Sequence, residues 1–389
     1  MIKQIFSGGI LNLITFLFTF ITSFLIVRIL DPNQIVDYYK LIALLSWGSL
    51  TLIAVNNHGI ILLSSENDRF NKIYIFIVQL IYSLIYVVLI KIIFPTVPIV
   101  LFAFAVLNFI SLEWVFIAKN KPNILIIGSI VNKAFVAVVL VLIYTYSINI
   151  STVNLIQILA VGMALNLIIL LRKIKFDAFD IKYTELKAMM IIILKAAPFY
   201  LLHGQIFNYV LMFNPFDDND AGLVIYSRIA LISVGFITSL SHFTMPLFNN
   251  SLNNWNKFWK GLMITFCTSA IIVVILMLLY EPVEYVFLGE NRMLSSHRLV
   301  FAVIIIVYPI YNYFVVNHYI VKRETNRLLL PLVIVNFPLF LFQYFNLGPI
   351  APYIWVAVSF LSFSSLFVLQ RKSLFIEFMK TLRLSYHNR

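Results

Sequence analysis

Long runs of apolar residues, separated by short polar segments, fill almost the entire sequence. Hydrophobic residues make up 62% of the 389 residues and charged residues only 11%, whereas a soluble domain has about 45–50% apolar and about 25% charged residues. No water-soluble fold could bury this much apolar surface, and about 20 apolar residues suffice for a helix to cross a bilayer. The sequence therefore predicts an all-α polytopic membrane protein.

We place about twelve transmembrane helices along the chain. Their predicted ranges are 5–29, 36–63, 72–95, 97–118, 122–146, 152–171, 188–213, 221–248, 259–280, 298–320, 327–346 and 350–370. Because the junctions near Pro95 and Gly348 are tight, eleven or thirteen helices are also compatible with the sequence. The longest polar break divides the helices into an N-terminal six-helix half (1–176) and a C-terminal six-helix half (177–370). Such a layout is typical of a transporter whose halves surround a central cavity.

The basic residues predict the orientation of these helices. With both termini in the cytoplasm, the inner segments hold about four times as many Lys and Arg residues as the outer segments, which is the bias of the positive-inside rule. The inner segments include the predicted cytoplasmic linker (177–187) and a basic cytoplasmic tail (371–389). The net charge of +12 is thus explained by topology and does not indicate binding of nucleic acid.

The sequence carries none of the common signatures of an enzyme or a metal site. One cysteine, Cys267, lies in an apolar run, which excludes an internal disulfide or a cysteine-ligated metal. An acidic cluster at Asp217 to Asp220 precedes a predicted helix, where acidic residues are favourable in their own right. The chain has no Walker A loop and no His-Glu-x-x-His motif. The sequence predicts no catalytic residue, no metal and no cofactor, and hence a protein that is not an enzyme.

Four charged residues lie within predicted spans, where charge is costly and usually faces a bundle interior or a water-filled cavity. Lys133, Lys195 and Arg228 lie in spans 5, 7 and 8, and Glu113 lies near the inner end of span 4. Lys133 is about 16 Å deep, at about 1.5 Å per residue. Three bases against one acid favour an anionic cargo. Snorkelling to an interface is the alternative for each cation.

Three residues are candidates for a polar lining or for carrying a proton. These are His203, His242 and Glu113. A histidine with satisfied hydrogen bonds in the core is the alternative for the first two. For Glu113 the favoured alternative is a pairing with Lys119 or Lys121.

Two predicted spans carry a polar stripe along one helix face, as the spacings of three and four residues show. The stripe on span 8 consists of Arg228, Leu231, Gly235, Thr238 and His242. The stripe on span 1 consists of Asn12, Thr15, Thr19 and Thr22, with Ser23 beside it. Such stripes are typical of a cavity lining, and equally of hydrogen bonding between helices.

Two segments resemble a known family. The first runs from Ser23 through Arg28 and Asp31-Pro32 to Tyr38. The second consists of Ile206 to Tyr209, Gly222, Tyr226 to Ile229, and Met245 to Leu247. They are similar to the opening and to spans 7 and 8 of the bacterial polysaccharide flippases. These are the O-antigen and capsule repeat-unit transporters of the multidrug/oligosaccharidyl-lipid/polysaccharide exporter superfamily.

The resemblance implies a cargo, a location and further site residues. The cargo would be an undecaprenyl-diphosphate-linked oligosaccharide, flipped across the bacterial cytoplasmic (inner) membrane for O-antigen, lipopolysaccharide or other surface polysaccharide synthesis. The implied partners are this lipid-linked glycan, membrane lipid and the polysaccharide polymerase machinery. Related lipid II flippases have functional arginines near the end of span 1 and in span 8, and Arg28 and Arg228 match those positions.

Two other functions remain open at this point. A drug/cation antiporter of the same superfamily would require acidic residues within the spans, and Glu113 is the main candidate. A membrane-embedded polysaccharide polymerase or glycosyltransferase would carry a large outer loop with catalytic residues, whereas every predicted outer loop is short.

Overall fold

The computed structural model of the chain is all-helical in the part that it describes. The described residues are 2–49, 56, 73–119, 122–174, 184, 187, 190–191, 195, 198–199, 201–202, 210, 220–249, 255–279, 282, 285, 295–312, 328–345 and 348–370. By its internal contacts the chain forms two compact units, Met1–Val224 and Ile225–Arg389. The predicted boundary at residues 176 and 177 lies outside the described residues and stays a prediction.

The first unit contains α1 (Ile2–Ile29), α2 (Pro32–Ser46), α3 (Ile73–Ile93), α4 (Phe102–Phe109), α5 (Glu113–Ala118), α6 (Pro122–Thr145) and α7 (Thr152–Leu171), with a short 3₁₀ turn at Ile99–Leu101 before α4. The helix α8 (Ala221–Asn249) begins at the end of the first unit and continues into the second. The second unit also contains α9 (Trp255–Leu278), α10 (Ser295–Tyr311), α11 (Leu329–Phe345) and α12 (Ala351–Gln370).

Four helical stretches among the described residues are long and apolar enough to cross a membrane. They are Ile73–Ile93, Ile99–Phe116, Ile124–Thr145 and Thr152–Leu171. Six shorter apolar helices of 10–17 residues accompany them. Large apolar side chains lie on the outside of the helices, with Ile92 70% and Leu278 75% exposed. Such surfaces are stable in lipid and not in water, so the chain is a multi-pass membrane protein.

In the first unit α6 packs against α1 and α7, and α7 also contacts α2 and α4. Two glycines permit the close approach of α6 and α7. A Cβ atom on Gly128 would lie 2.2 Å from Asn166 Oδ1, and one on Gly162 would lie 2.3 Å from Asn132 Oδ1. Small residues allow helix backbones to approach closely in a membrane. These reciprocal contacts fix the rotation of α6, so that Asn132 faces α7.

The helices of the second unit pack through aromatic side chains. The rings of Tyr226 on α8 and Phe301 on α10 are 5.6 Å apart, and those of Phe301 and Tyr353 on α12 are 5.1 Å apart. Such pairs contribute about 0.5–1.5 kcal/mol each beyond the area that they bury. The start of α8, which carries Arg228, is thereby held against α10.

The predicted span over 97–118 corresponds to the membrane-crossing stretch Ile99–Phe116, but its helix is interrupted. α4 ends at Phe109, Ile110 has an extended backbone (φ −84°, ψ 96°), and α5 begins only at Glu113. Non-helical backbone at membrane depth requires internal hydrogen-bond partners. Gln79 of α3 provides one, because its Nε2 donates to the carbonyl oxygen of Ser111 (2.9 Å) and to Asn56 Oδ1 (2.8 Å). A buried amide on the neighbouring helix therefore stabilises the break.

We expect Gln79→Leu to lower the free energy of unfolding by about 1–3 kcal/mol, because it leaves the Ser111 carbonyl and the Asn56 side chain without their donor. Gln79 is fully buried, so water cannot replace its amide. The measurement is the Tm of the purified protein in detergent. Gln157→Leu is the matched control, since Gln157 is a half-buried glutamine of α7. Equal Tm values for the Gln79 and Gln157 variants would contradict this role.

Candidate functional site

The best-defined polar cluster lies between α1 and α6. Lys133 Nζ donates to Thr19 Oγ1 and, at 3.4 Å, to the carbonyl oxygen of Thr15. The Thr19 hydroxyl in turn donates to the same Thr15 carbonyl (2.8 Å). Two residues of the predicted polar stripe of α1, Thr15 and Thr19, therefore accept hydrogen bonds from Lys133 of α6.

The sequence positions Lys133 through the packing of its neighbours. Successive residues of an α-helix are about 100° apart around its axis. Because Asn132 packs against Gly162 of α7, the next residue, Lys133, is turned toward α1. Its side chain is half-buried. Thr22 Oγ1, one turn beyond Thr19, is buried and has no hydrogen-bond partner in the described part of the chain.

Glu113, the first residue of α5, interacts electrostatically with Lys133. Its side chain is exposed. The sequence favoured Lys119 or Lys121 as its partner. Lys121 lies outside the described residues, so the pairing of Glu113 with one of these lysines stays a prediction.

The remaining predicted site residues of the first unit lie apart from this cluster. Arg28 is exposed near the end of α1, with its guanidinium carbon 5.8 Å from the ring centroid of Phe24. It follows Thr19 by nine residues, which is about 14 Å along a helix. The Lys195 side chain is exposed. His203 lies outside the described residues.

Arg228 lies on α8 in the second unit and is half-buried. Leu231, on the same predicted face, is also half-buried, whereas Ile229 and Ser233 on other faces are buried. The side chains of the other residues on the predicted stripe, Gly235, Thr238 and His242, are not among those described. The proposed contribution of His242 to the site therefore stays a prediction.

Sequence reasoning missed Gln79, although a signal existed. A lone amide stands in the apolar run Ile73–Ile93, and a polar side chain inside a span usually has a specific partner. Among the described residues, no group of three or more His, Cys, Asp or Glu side chains could hold a metal ion. The chemistry that the Lys133 cluster offers is an ammonium group with hydroxyl and carbonyl neighbours.

The sequence matches no family model and no curated protein sequence. Its structure is similar to that of an inward-facing multidrug resistance MATE family transporter of the MOP superfamily, with a TM-score of 0.65 over 94% of this chain and 98% of the other at 14% identity. The lipid II flippase MurJ in an inward closed conformation gives a TM-score of 0.64 over 93% and 87% at 16% identity.

A MOP superfamily transporter from Pyrococcus furiosus is similar as well, with a TM-score of 0.66 over 96% of this chain and 95% of the other at 14% identity. Similarities at such low sequence identity show only that the fold is shared. The three similarities cover nearly the whole of each chain. The chain therefore has the all-helical fold of the MOP superfamily transporters.

Proposed function

We propose that this protein is a flippase that moves undecaprenyl-diphosphate-linked oligosaccharide repeat units across the bacterial cytoplasmic membrane for surface polysaccharide synthesis. The observation that carries the proposal is the Lys133 cluster, in which a half-buried lysine of a membrane-crossing helix donates hydrogen bonds to Thr15 and Thr19 of α1. A lysine that snorkelled to an interface would instead direct its ammonium group to a membrane surface.

The chemistry of the cargo fits such a site. A diphosphate bearing a polar glycan cannot cross hydrocarbon unaided, because an unpaired charge in a medium of low dielectric is very costly. Cations in a cavity offset that cost, and charge-assisted hydrogen bonds to phosphate are about twice as strong as neutral ones. The similarity to a lipid II flippase supports a lipid-linked substrate. The resemblance of the sequence to polysaccharide flippases supports an oligosaccharide as the group carried.

The test is transport of a labelled cargo. Purified protein is reconstituted into liposomes that contain a polyprenyl-diphosphate-linked oligosaccharide with a fluorescent glycan, and dithionite added outside reduces the label in the outer leaflet. A flippase exposes the inner-leaflet label as well, so we expect fluorescence to fall well below the one-half that protein-free liposomes retain. Retention of the protected half in the presence of folded protein would contradict the proposal.

The alternatives have separate readouts in the same liposomes. A drug/cation antiporter would move a fluorescent organic cation against an imposed ion gradient, and a polymerase would lengthen the glycan. Glu113 interacts with a lysine, which makes it a poor binding site for a second cation. We therefore expect neither activity. In the flipping assay, the same lipid with a monophosphate in place of the diphosphate is the specificity control.

A further inference from the structure

The break between α4 and α5 leaves more backbone acceptors than one side chain can satisfy. The last four carbonyl groups of a helix have no donor within that helix. At the end of α4, the Ile110 N–H donates to the carbonyl oxygen of Val106 (3.2 Å). No backbone N–H in the described part of the chain donates to the carbonyl oxygens of Leu107, Asn108 and Phe109. Because helix carbonyls point along the axis toward the carboxyl end, these oxygens face the break.

Gln79 of α3 places one more oxygen at the break. Its Nε2 donates to the Ser111 carbonyl and to Asn56 Oδ1, so both amide hydrogens are used and the amide cannot be reversed without losing both bonds. Its Oε1 is buried without a hydrogen-bond partner in the described part of the chain, and the side chain as a whole is fully buried. A buried acceptor without a donor is destabilising, so a positively charged or hydrogen-donating group at Oε1 would stabilise this packing.

The packing of α4 on α3 holds these oxygens in place. Gln79, Tyr82 and Tyr86 lie on one face of α3, because they are three and four residues apart. The ring of Phe109, the last residue of α4, packs on both tyrosines, with centroid distances of 5.7 Å and 4.8 Å. The same ring would lie 2.9 Å from a Cβ atom on Gly48, and Phe109 is buried. The end of α4 is therefore held at the face of α3 that carries Gln79.

Water and a metal cation are the two kinds of partner that such oxygens can have. A water molecule donates only two hydrogens, whereas a cation is coordinated by several oxygens at once. The oxygens at the break are neutral, and sites for Ca²⁺ and Mg²⁺ usually include carboxylates. Unwound backbone carbonyls and the carboxyl ends of half-helices coordinate Na⁺ in membrane transporters. The donor set at this break therefore favours a monovalent cation.

We propose that a monovalent cation, Na⁺ or K⁺, binds at the break between α4 and α5, with Gln79 Oε1 and the carbonyl oxygens at the end of α4 as its ligands. The site uses no His, Cys, Asp or Glu side chain. The cation joins α3 to the end of α4, and it polarises the Gln79 amide so that Nε2 donates more strongly to Ser111. Neither Lys133 nor the cargo takes part, so the inference goes beyond the proposed function and does not rest on it.

The experiment measures the Tm of the purified full-length protein in detergent as Na⁺ or K⁺ replaces choline at constant ionic strength. Choline has the same charge but is too large for a site of carbonyl ligands. A ligand that binds the folded state raises the free energy of unfolding as its concentration rises, and we expect a saturable rise in Tm of about 2–4 °C. The width of the sodium NMR line reports binding without reference to stability, and we expect the protein to broaden it.

Two variants at Gln79 test the assignment to its side chain. Gln79→Leu removes the oxygen, so we expect its Tm to be the same in the three salts, whatever its absolute value. Gln79→Glu keeps an oxygen in place but replaces the donor nitrogen with a second oxygen, which faces the acceptors of Ser111 and Asn56. A cation would relieve that repulsion, so we expect a larger rise in Tm than in the wild type. Gln157→Leu, at the half-buried glutamine of α7, should keep the wild-type rise.

Three results would overturn the proposal. An equal wild-type Tm in choline, Na⁺ and K⁺ would mean that water satisfies the oxygens at the break. A wild-type rise in Gln79→Leu, or a rise in Gln79→Glu no larger than that of the wild type, would place the cation elsewhere, and the second variant decides alone if the first does not fold. Loss of the rise in Glu113→Gln would assign the cation to the exposed carboxylate of Glu113, two residues after Ser111, instead of to the neutral oxygens. None of these results bears on the flipping assay, which tests the proposed function separately.

Discussion

Lys133→Met is expected to reduce flipping of the labelled lipid by at least about tenfold. The substitution keeps the length and apolar stem of the side chain but removes its charge and its hydrogen bonds. Hydrogen bonds to charged groups contribute about 1.5–3 kcal/mol, and about 1.4 kcal/mol corresponds to a factor of ten in rate. The measurement is the initial rate of dithionite reduction in liposomes that contain equal amounts of protein.

Loss of stability could mimic this effect, because removing one member of a charge pair leaves the other uncompensated. The double variant Lys133→Met/Glu113→Gln separates the two causes. It restores neutrality, so we expect it to recover much of the Tm that the single variant loses, while flipping stays low. Lys173→Met, at an exposed position after α7, should flip lipid at the wild-type rate. Recovery of flipping in the double variant would show that Lys133 is structural.

The fold could be predicted from the sequence to the extent that it depends on helix length and lipid exposure. A bilayer requires about 20 apolar residues per helix and excludes open sheets, so apolar runs bounded by polar residues sufficed for α3, α6 and α7. α2 begins at Pro32, directly after Asp31, whose backbone N–H donates to the Gln34 side chain (3.3 Å). Proline at this position is typical of the first residue of a helix.

The break between α4 and α5 could not be predicted from the same signal. The residues from Ile110 to Leu112 are as apolar as a continuous helix requires, and they include neither glycine nor proline. Their non-helical backbone depends on Gln79, which is 32 residues earlier in the chain and reaches Ser111 only through tertiary packing. A prediction from local sequence cannot include a contact between residues so far apart in the chain.

In the candidate site, too, helical periodicity predicts some features and not others. The depth of Lys133 and the polar face of α1 follow from helical periodicity, which is why Thr15 and Thr19 were predicted to share a face. The position of Glu113 relative to Lys133 does not follow from it, because periodicity relates residues within one helix and these two lie on α5 and α6. The contributions of Arg28, Lys195 and Arg228 to one cavity stay predictions, and the experiment on Arg228 is the most informative of these.

Arg228→Ala is expected to lower flipping by about 10- to 150-fold while the protein still accumulates in the membrane. Arginine can bind two phosphate oxygens at once, and loss of about 1.5–3 kcal/mol of charge-assisted hydrogen bonding gives this range at about 1.4 kcal/mol per factor of ten. Arg228 is half-buried on α8, so its side chain is neither sealed in the core nor fully exposed. The measurement is again the rate of dithionite reduction at matched protein content.

The conservative variants decide whether charge or geometry matters. Arg228→Lys keeps the charge but replaces the planar fork with a point charge, so a site that binds the diphosphate in bidentate fashion should recover only part of the rate. Arg228→Gln keeps polarity without charge and should remain as inactive as Arg228→Ala. Arg172→Ala removes an exposed arginine at the end of α7 and should leave the rate unchanged. A normal flipping rate for Arg228→Gln at equal abundance would mean that the Arg228 side chain only extends to the membrane–water interface. Arg228 would then not belong to the binding site.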